Sequence, residues 1–226
     1  MKVITISGGS SGLGLEIAKI LSPSNQVIIL STRNGRYGEA AKEAKCDYHF
    51  CDVKRSESVE KAIDYIIEKY HRIDCLINNA GIWIEGPIEE NEAAGIEQVM
   101  QVNAIGTILL TQAVVPQMKV QKSGDIINII SLGGLHGKAN RSVYTASKFA
   151  ITGFTRSLQS ELAKDGIRVT GIFPGKMDTP MFEKVEVDKD MSDALDPREV
   201  AHLVAFLLKL PPKVTIPEVL IKHLDN

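Results

Sequence analysis

The fold is decided by residues 3–14, which read Val3-Ile4-Thr5-Ile6-Ser7-Gly8-Gly9-Ser10-Ser11-Gly12-Leu13-Gly14. An apolar run of strand length leads straight into a glycine-rich turn, and a helical pattern over 13–21 follows it. The glycines at 8, 12 and 14 are spaced GxxxGxG, a variant of the spacing of dinucleotide-binding turns. A helix that starts there offers unpaired N–H groups and its positive dipole end to a phosphate.

Each glycine has its own expected task. Gly8 makes the tight turn, Gly12 lets the backbone approach a pyrophosphate, and Gly14 lets the helix pack closely on the strand. The alternative is a plain strand-to-helix turn without a ligand. The position of the turn, after the first strand and before a helix, argues against that alternative.

Short apolar runs and longer amphipathic stretches alternate along the rest of the chain. The remaining runs span 26–31, 48–51, 73–78, 125–130, 167–173 and 218–221. The helical patterns span 13–21, 37–45, 56–70, 92–120, 142–164 and 197–209. This alternation predicts an α/β fold: one Rossmann-type doubly wound domain over residues 1–226, with about seven parallel strands and helices on both faces. Pro116 is expected to kink or end the fourth helix.

Composition excludes several classes of protein. The chain has 226 residues, of which 44% are hydrophobic and 24% are charged, so long disorder is not expected. A net charge of −2 shows no electrostatic footprint for nucleic acid. No run approaches the roughly 18 apolar residues of a membrane span, and the first residues lack the pattern of a secretory signal. We therefore expect no nucleic-acid or membrane partner.

The cysteines point to neither a disulfide framework nor a metal site. Cys46, Cys51 and Cys75 are odd in number and show no CxxC spacing. Buried, reduced thiols in a cytoplasmic protein are the expected interpretation.

The end of the second strand indicates which dinucleotide binds. An NAD site usually places Asp or Glu about 20 residues beyond the turn, whereas here no acidic residue occurs between the start of the second strand and Glu39, and Arg33 stands at the strand end. A guanidinium is a good forked partner for the 2′-phosphate of NADP(H), and Ser10, Ser11 and Thr32 offer further donors. We therefore predict NADP(H), with a solvated Arg33 that binds no ligand as the alternative.

Six further motifs occur in order along the chain. They are Cys51-Asp52-Val53, Asn78-Asn79-Ala80-Gly81, Val102-Asn103, Asn128-Ile129-Ile130-Ser131, Tyr144-Thr145-Ala146-Ser147-Lys148 and Pro174-Gly175-Lys176-Met177-Asp178-Thr179. Together with the glycine-rich turn, they resemble the motifs of the short-chain dehydrogenase/reductase family, over nearly the whole chain. One departure is Ser7, where a threonine is more usual, and we expect little effect because both offer a hydroxyl. The ending over 210–219 is similar to a short, generally NADP-dependent branch that acts on hydroxy acids, small alcohols and carbonyl compounds.

Four residues are the candidate catalytic group. Tyr144 is the candidate acid/base, although a free phenol has a pKa near 10, too high for a base at neutral pH. Lys148 lies four residues later on the same helical face, so its ammonium is expected to lower the pKa of Tyr144. Ser131 ends a strand, where its hydroxyl can bond the substrate oxygen. The resemblance implies that Lys148 also binds the nicotinamide ribose and that Asn103 holds a water in a proton relay. A purely structural role is the alternative for each.

The turn and the resemblance together assign the residues that bind the cofactor. They are Gly8, Ser10, Ser11, Gly12, Leu13, Gly14, Thr32, Arg33, Asp52, Val53, Asn79, Ala80, Gly81, Tyr144, Lys148, Pro174, Gly175, Met177 and Thr179. The resemblance implies that Asp52 bonds the adenine with help from the Val53 backbone. It also implies that Thr179 orients the nicotinamide carboxamide.

Substrate contacts are predicted for Trp83, His136 and Met181. Core packing is the alternative for Trp83, and a bystander role is the alternative for His136. The irregular stretch 175–196 is long for a loop in a compact domain, and it is predicted to be a substrate lid.

These features predict an NADP(H)-dependent oxidoreductase that interconverts a small alcohol and its carbonyl compound, with Tyr144 as acid/base. A non-catalytic NADP-binding regulator on the same fold and an NAD-dependent alcohol dehydrogenase remain as alternatives. The helical patterns 92–120 and 142–164 are apolar on more than a narrow stripe. The resemblance implies that these helices pair across a two-fold axis, so a homodimer or homotetramer is expected.

Overall fold

A seven-stranded parallel sheet forms the centre of the molecule. The computed structural model describes residues 1–32, 37–181 and 190–224. The strands are β1 Val3–Ser7, β2 Gln26–Ser31, β3 Asp47–Phe50, β4 Cys75–Asn78, β5 Gly124–Ile129, β6 Ile167–Pro174 and β7 Glu218–Ile221. They pair in the order β3-β2-β1-β4-β5-β6-β7, and every pair is parallel. The predicted fold class is confirmed.

Helices cover both faces of this sheet. They are α1 Gly12–Leu21, α2 Tyr37–Ala44, α3 Ser56–Tyr70, α4 Ala93–Val99, α5 Gly106–Gln121, α6 Ser142–Leu162 and α7 Pro197–Leu207. α1, α2 and α7 bury one core together with strand residues such as Ile29, and α3, α5 and α6 bury the other with residues such as Ile28. Neighbouring strand residues therefore serve opposite cores, which is why the strands are apolar at successive positions.

The strand order places the functional motifs at one edge. The chain reverses direction across the sheet between β1 and β4, because β2 and β3 lie on one side and β5, β6 and β7 on the other. Ligands of open α/β sheets bind in the crevice beyond the carboxyl ends of the strands at this point. The glycine-rich turn after β1, the loop after β4 and Ser131 after β5 all lie at that edge.

The long helical pattern over 92–120 is built from three segments. A π-helical stretch, Met100–Ile105, separates α4 from α5. Pro116 does not end the helix, since α5 continues to Gln121, so that half of the expectation is wrong, while a kink at Pro116 stays a prediction. Val114 and Met118 on either side of the proline are fully buried. Their packing holds the chain helical although one backbone N–H is missing.

This combined helix also corrects the expectation about membrane-length segments. Ala93–Gln121 spans 29 residues and is long and apolar enough, by length and composition, to cross a membrane. In the fold, 44% of its most apolar window is buried, and a Cβ on Gly106 would lie 2.8 Å from Val53 Cγ2. A helix packed into the core of an α/β domain passes the same test, and this helix is packed in that way.

Buried polar side chains connect the two central strands β4 and β5 to the helices that pack on them. Asn78 Nδ2 donates to Asn128 Oδ1 at 2.9 Å and to Thr111 Oγ1 at 3.1 Å, while Asn128 Nδ2 donates to Thr155 Oγ1 at 2.8 Å. These bonds join β4 and β5 to α5 and α6. Buried side-chain bonds of this kind fix the relative positions of the elements that they join, although Asn78 Oδ1 has no partner among the described residues.

Candidate active site

The glycine-rich turn has the close packing that its spacing predicts. Gly8 and Gly12 adopt φ angles of +66° and +52°, a region that side chains disfavour. A Cβ on Gly8 would lie 2.9 Å from Ala80 Cα. A Cβ on Gly14 would lie 2.5 Å from Asn79 Nδ2 and closer still to the Gly8 carbonyl oxygen. No side chain larger than hydrogen fits at these positions.

Ser7 and Asn79 lock the turn to the loop after β4. The Ser7 hydroxyl accepts the backbone N–H groups of Asn79 and Ala80, each at 3.1 Å. Asn79 Nδ2 returns bonds of 3.1 Å to the carbonyl oxygens of Ser7 and Gly8. The serine therefore supplies the hydroxyl that a threonine would supply here, as expected from the sequence.

The start of α1 is suited to hold a phosphate. Ser11 is its N-cap, its side chain makes no capping bond, and no acidic residue stands in the first turn. The first N–H groups therefore face the cleft without a side-chain acceptor, as a pyrophosphate site requires. Leu13 is buried and anchors the helix. Ser31 Oγ donates to Ser10 Oγ at 3.0 Å, so the end of β2 is joined to the turn.

The residues near the expected adenosine end are only partly described. Thr32 is exposed beyond β2, whereas Arg33 lies outside the described residues. Asp52 follows β3, and its Oδ1 accepts the Lys54 N–H at 3.1 Å, which fixes the carboxylate. Val53 is buried beside Gly106. Asp52 and Val53 thus lie at the same edge as the turn.

The loop after β6 closes the other side of the cleft. Pro174 ends β6, and the Gly175 N–H donates to Ile221 O at 2.8 Å. Met177 pairs with Leu195 in an isolated bridge. A Cβ on Gly12 would lie 3.3 Å from Thr179 Cβ, so Thr179 borders the glycine-rich turn. The structure therefore brings the predicted nicotinamide-side residues to the phosphate-binding turn.

The described ends of the predicted lid are joined to each other. The Asp178 N–H donates to Leu195 O at 2.9 Å, the Leu195 N–H donates to Lys176 O at 2.8 Å, and Lys176 forms an ion pair with Asp193. The middle of the segment, 182–189, lies outside the described residues. Whether the segment closes over a substrate stays a prediction.

Tyr144, Ser131 and Lys148 meet at the centre of this edge. A Cβ placed on Gly133 would lie 3.2 Å from Tyr144 Cε1 and 3.4 Å from Ser131 Oγ, so the two side chains border one spot. Ser131 Oγ also accepts the Gly133 N–H at 3.0 Å, which orients the hydroxyl. Lys148 Nζ donates to Ile129 O at 3.2 Å and lies 5.8 Å from the centre of the Tyr144 ring.

Burial sets the proton affinities of this group. It raises the pKa of Tyr144 to about 12, against hydrogen bonding with Ser131 and the charge of Arg141, which both lower it. Burial also lowers the pKa of Lys148 to about 8. The expectation that Lys148 lowers the Tyr144 pKa is therefore wrong: the groups that lower it are Ser131 and Arg141, and desolvation of the phenolate outweighs both. Tyr144 is accordingly a protonated acid at neutral pH.

Asn103 lies in the π-helical stretch and holds the loop after β4. Its Oδ1 accepts the Ile82 N–H at 2.8 Å, and its Nδ2 donates to Ile82 O at 3.0 Å and to Ser147 Oγ at 3.1 Å. A Cβ on Gly81 would lie 3.5 Å from Asn103 Oδ1 and 3.7 Å from Lys148 Nζ. Asn103 and Lys148 thus both border Gly81. π-helical turns often mark functional positions.

The predicted substrate residues differ in their surroundings. Trp83 is 8% exposed, and its ring centre lies 4.3 Å from that of Tyr144. His136 is exposed, and its backbone N–H donates to Leu132 O at 3.1 Å. Met181 is half-buried at the border of the 182–189 segment. Substrate contact stays a prediction for all three.

Two residues beside Tyr144 were missed by sequence reasoning. Arg141 Nε donates to Glu85 Oε1 at 3.0 Å, and Trp83 Nε1 donates to Glu85 Oε2 at 3.2 Å. Glu85 and Arg141 are 56 positions apart, so no local pattern pairs them. The one feature of the sequence that could have indicated a role for them is their position close to the Asn78–Gly81 and Tyr144–Lys148 motifs.

A doubly wound sheet with a glycine-rich turn at its switch point defines a Rossmann-type α/β protein. A family model described as short chain dehydrogenase matches residues 2–190. The chain therefore belongs to the short-chain dehydrogenase family, and it is an oxidoreductase.

Known proteins resemble the chain over nearly its full length. An uncharacterised oxidoreductase of Staphylococcus saprophyticus is 35% identical, over 98% of this chain and 97% of that protein. An alcohol dehydrogenase of Thermococcus sibiricus, solved with 5-hydroxy-NADP, superposes with a TM-score of 0.90 at 25% identity, covering 100% of this chain and 98% of the other. A serine dehydrogenase solved with NADP+ superposes with a TM-score of 0.92 at 25% identity, covering 99% and 96%.

Proposed function

We propose that this oxidoreductase uses NADP(H) to interconvert a small alcohol and its carbonyl compound, with Tyr144 as the acid/base. The observation that carries the proposal is the meeting of a buried, protonated Tyr144 with Ser131 and Lys148 at the edge that bears the glycine-rich turn. The two structural neighbours solved with NADP forms support the choice of cofactor.

The residues at this edge fit a dinucleotide. The Gly8 and Gly12 backbone and the uncapped first turn of α1 suit the pyrophosphate, Asp52 and Val53 the adenine, and Thr179 and Lys148 the nicotinamide end. When bound, the nicotinamide ring accepts or supplies the hydride.

The chain's own residues handle the oxygen and its proton. Ser131 Oγ donates a hydrogen bond to the substrate oxygen and holds it beside Tyr144. In carbonyl reduction the Tyr144 hydroxyl gives its proton to that oxygen, and a pKa of about 12 keeps the proton in place at neutral pH. Lys148, which borders Gly81 as Asn103 does, carries a replacement proton toward Tyr144, because its own pKa of about 8 lets it release one. In alcohol oxidation the proton moves the other way.

The cofactor preference is tested by exchanging Arg33. We expect the KM for NADPH to be about 10- to 100-fold below that for NADH, because a charge-assisted bond to the 2′-phosphate is worth about 1.5–3 kcal/mol. Arg33→Ala should remove most of this difference and leave the KM for NADH unchanged. Lys61→Ala, which removes an exposed cation on α3, is the matched control. Equal KM values in the unmodified enzyme would refute the NADP(H) preference.

The alternative of a non-catalytic NADP-binding regulator is set aside, because the chain belongs to a family of oxidoreductases. Such a protein would bind NADPH and turn over no carbonyl compound. The presence of Ser131, Tyr144, Lys148 and Asn103 in one cluster favours the enzyme, because cofactor binding alone does not need an acid/base.

We also propose that the enzyme forms a homodimer or homotetramer. Ile105, Ile108 and Phe149 are apolar yet exposed, on the segments that carry the predicted pairing surface. Light scattering at micromolar concentration should give about twice or four times the chain mass of 24.7 kDa. Phe149→Glu should shift the mass downward, whereas Tyr65→Glu, at an exposed aromatic on α3, should not. A monomer in the unmodified sample would contradict the proposal.

A further inference from the structure

Three side chains beside Tyr144 are not used by the mechanism above. The ring centre of Trp83 lies 4.3 Å from that of Tyr144, with the planes inclined by 50°. The Arg141 guanidinium carbon lies 5.1 Å from the centre of the Trp83 ring. Glu85 accepts from both, through Oε2 from Trp83 and through Oε1 from Arg141. We call Trp83, Glu85 and Arg141 the tyrosine-facing cluster.

The cluster is held more firmly than a surface ion pair. The side chains of Arg141 and Glu85 are only 27% and 20% exposed, so solvent screens their interaction incompletely. The Gly86 N–H also donates to Asn140 O at 2.8 Å, which adds a backbone link between the same two segments. The loop after β4 is therefore fixed to the start of α6, the helix that carries Tyr144.

We propose that the tyrosine-facing cluster is a positioning device: Trp83 fixes the plane of the Tyr144 ring, Arg141 places a positive charge near the phenol, and Glu85 limits that charge. The inference rests on the proposed role of Tyr144 as acid/base. It assigns functions to Glu85 and Arg141, and it gives Trp83 a task besides substrate contact.

The charges around Tyr144 determine the direction of each effect. Among the residues that the structure describes, the charged groups near Tyr144 are Lys148 on α6, Arg141 at the N-cap of α6 and Glu85 in the loop after β4. Ser131 is the polar neighbour after β5. A positive charge favours the phenolate, and the Arg141 charge lowers the pKa of Tyr144. Removing Arg141 should therefore raise that pKa, while removing only the Glu85 charge should lower it.

The test uses variants that separate charge from packing. They are Arg141→Gln, Arg141→Lys, Glu85→Gln and the double variant Glu85→Gln with Arg141→Gln. Two titrations are recorded for each: the acid limb of kcat/KM for alcohol oxidation with NADP+, and the tyrosinate absorbance at 295 nm. The absorbance is measured as a difference from Tyr144→Phe in the same background, so it follows Tyr144 without needing turnover.

Opposite shifts are the expected result. Arg141→Gln should move the Tyr144 titration up by about 0.5 to 1 pH unit, and Glu85→Gln should move it down by a smaller amount. The double variant and Arg141→Lys should stay close to the unmodified enzyme. Shifts of both single variants in one direction, or no shift, would overturn the proposal. A loss of packing would move both titrations in the same direction, whereas the loss of opposite charges moves them in opposite directions.

Trp83 is tested by its own pair of variants. Trp83→Ala should lower kcat about tenfold or more through misplacement of the phenol, whereas Trp83→Phe, which retains a ring against Tyr144, should lower kcat much less than Trp83→Ala does. A rise in KM alone in Trp83→Ala would instead assign Trp83 to substrate contact and refute its positioning role. If no substrate turns over, the proposed function fails, while the absorbance titrations still decide the charge effects of Arg141 and Glu85.

Discussion

Tyr144→Phe should lower kcat about 1,000-fold and leave the dissociation constant for NADPH within a few-fold of the unmodified value. Removal of the hydroxyl deletes the proton donor, and positioned acid/base catalysis contributes about 100- to 10,000-fold. The ring stays in its contact with Trp83, so the fold and the cofactor cleft should be preserved. Single-turnover reduction of a carbonyl substrate and direct titration with NADPH measure the two quantities separately.

Tyr70→Phe is the matched control for that prediction. Tyr70 ends α3 and donates a hydrogen bond from its hydroxyl to Asp47 in β3. It takes no part in the catalytic motifs, so kcat should not change. Turnover within tenfold of the unmodified enzyme in Tyr144→Phe would remove Tyr144 from the role of acid/base. Loss of NADPH binding in that variant would indicate a structural role instead.

Gly14→Ala should weaken NADPH binding about 100-fold and lower the free energy of unfolding by about 1–3 kcal/mol. The new methyl group would lie 2.5 Å from Asn79 Nδ2 and nearer to the Gly8 carbonyl oxygen. Neither neighbour can easily give way, because Asn79 Nδ2 is bonded to the carbonyl oxygens of Ser7 and Gly8. The start of α1 must therefore move from the turn, and the phosphate site moves with it.

Gly38→Ala separates this clash from the general effect of glycine replacement in a helix. A Cβ on Gly38, in α2, would meet nothing within 4 Å, so the substitution should leave NADPH affinity unchanged and stabilise the helix slightly. Isothermal titration with NADPH and urea unfolding measure both variants. Unchanged affinity in Gly14→Ala would mean that close packing at the turn is not needed for cofactor binding.

The sheet could be predicted well because most of its strands are buried on both faces. β1 and β2 match their predicted runs. Ile4, Ile6, Ile28 and Ile29 are all fully buried, so both strands appear in the sequence as continuous apolar runs. β3 is offset by one residue from its run. It is an edge strand of alternating burial, which leaves a weaker apolar signal.

The site could be predicted as motifs and not as a set of contacts. Asn103 was singled out because asparagine is a poor helix former, and the structure has a π-helical stretch there. That irregularity depends on packing against Ile82 and Ser147, which the local sequence does not show. The Tyr144 pKa is raised, whereas the sequence predicts that it is lowered. The spacing of the motif shows that a lysine is near, but only the fold shows how completely water is excluded from the phenol.

The way in which Asn103 holds the loop after β4 bears on how this enzyme could be re-engineered. Its side-chain amide bonds both the N–H and the carbonyl of Ile82, as the backbone of a neighbouring strand would, and these bonds do not involve the Ile82 side chain. At Ile82 the path of the loop is thus fixed through main-chain atoms, whichever side chain stands there. Side-chain substitutions at Ile82 should therefore leave both Asn103 bonds in place, which makes this position a suitable one to vary without displacing the loop.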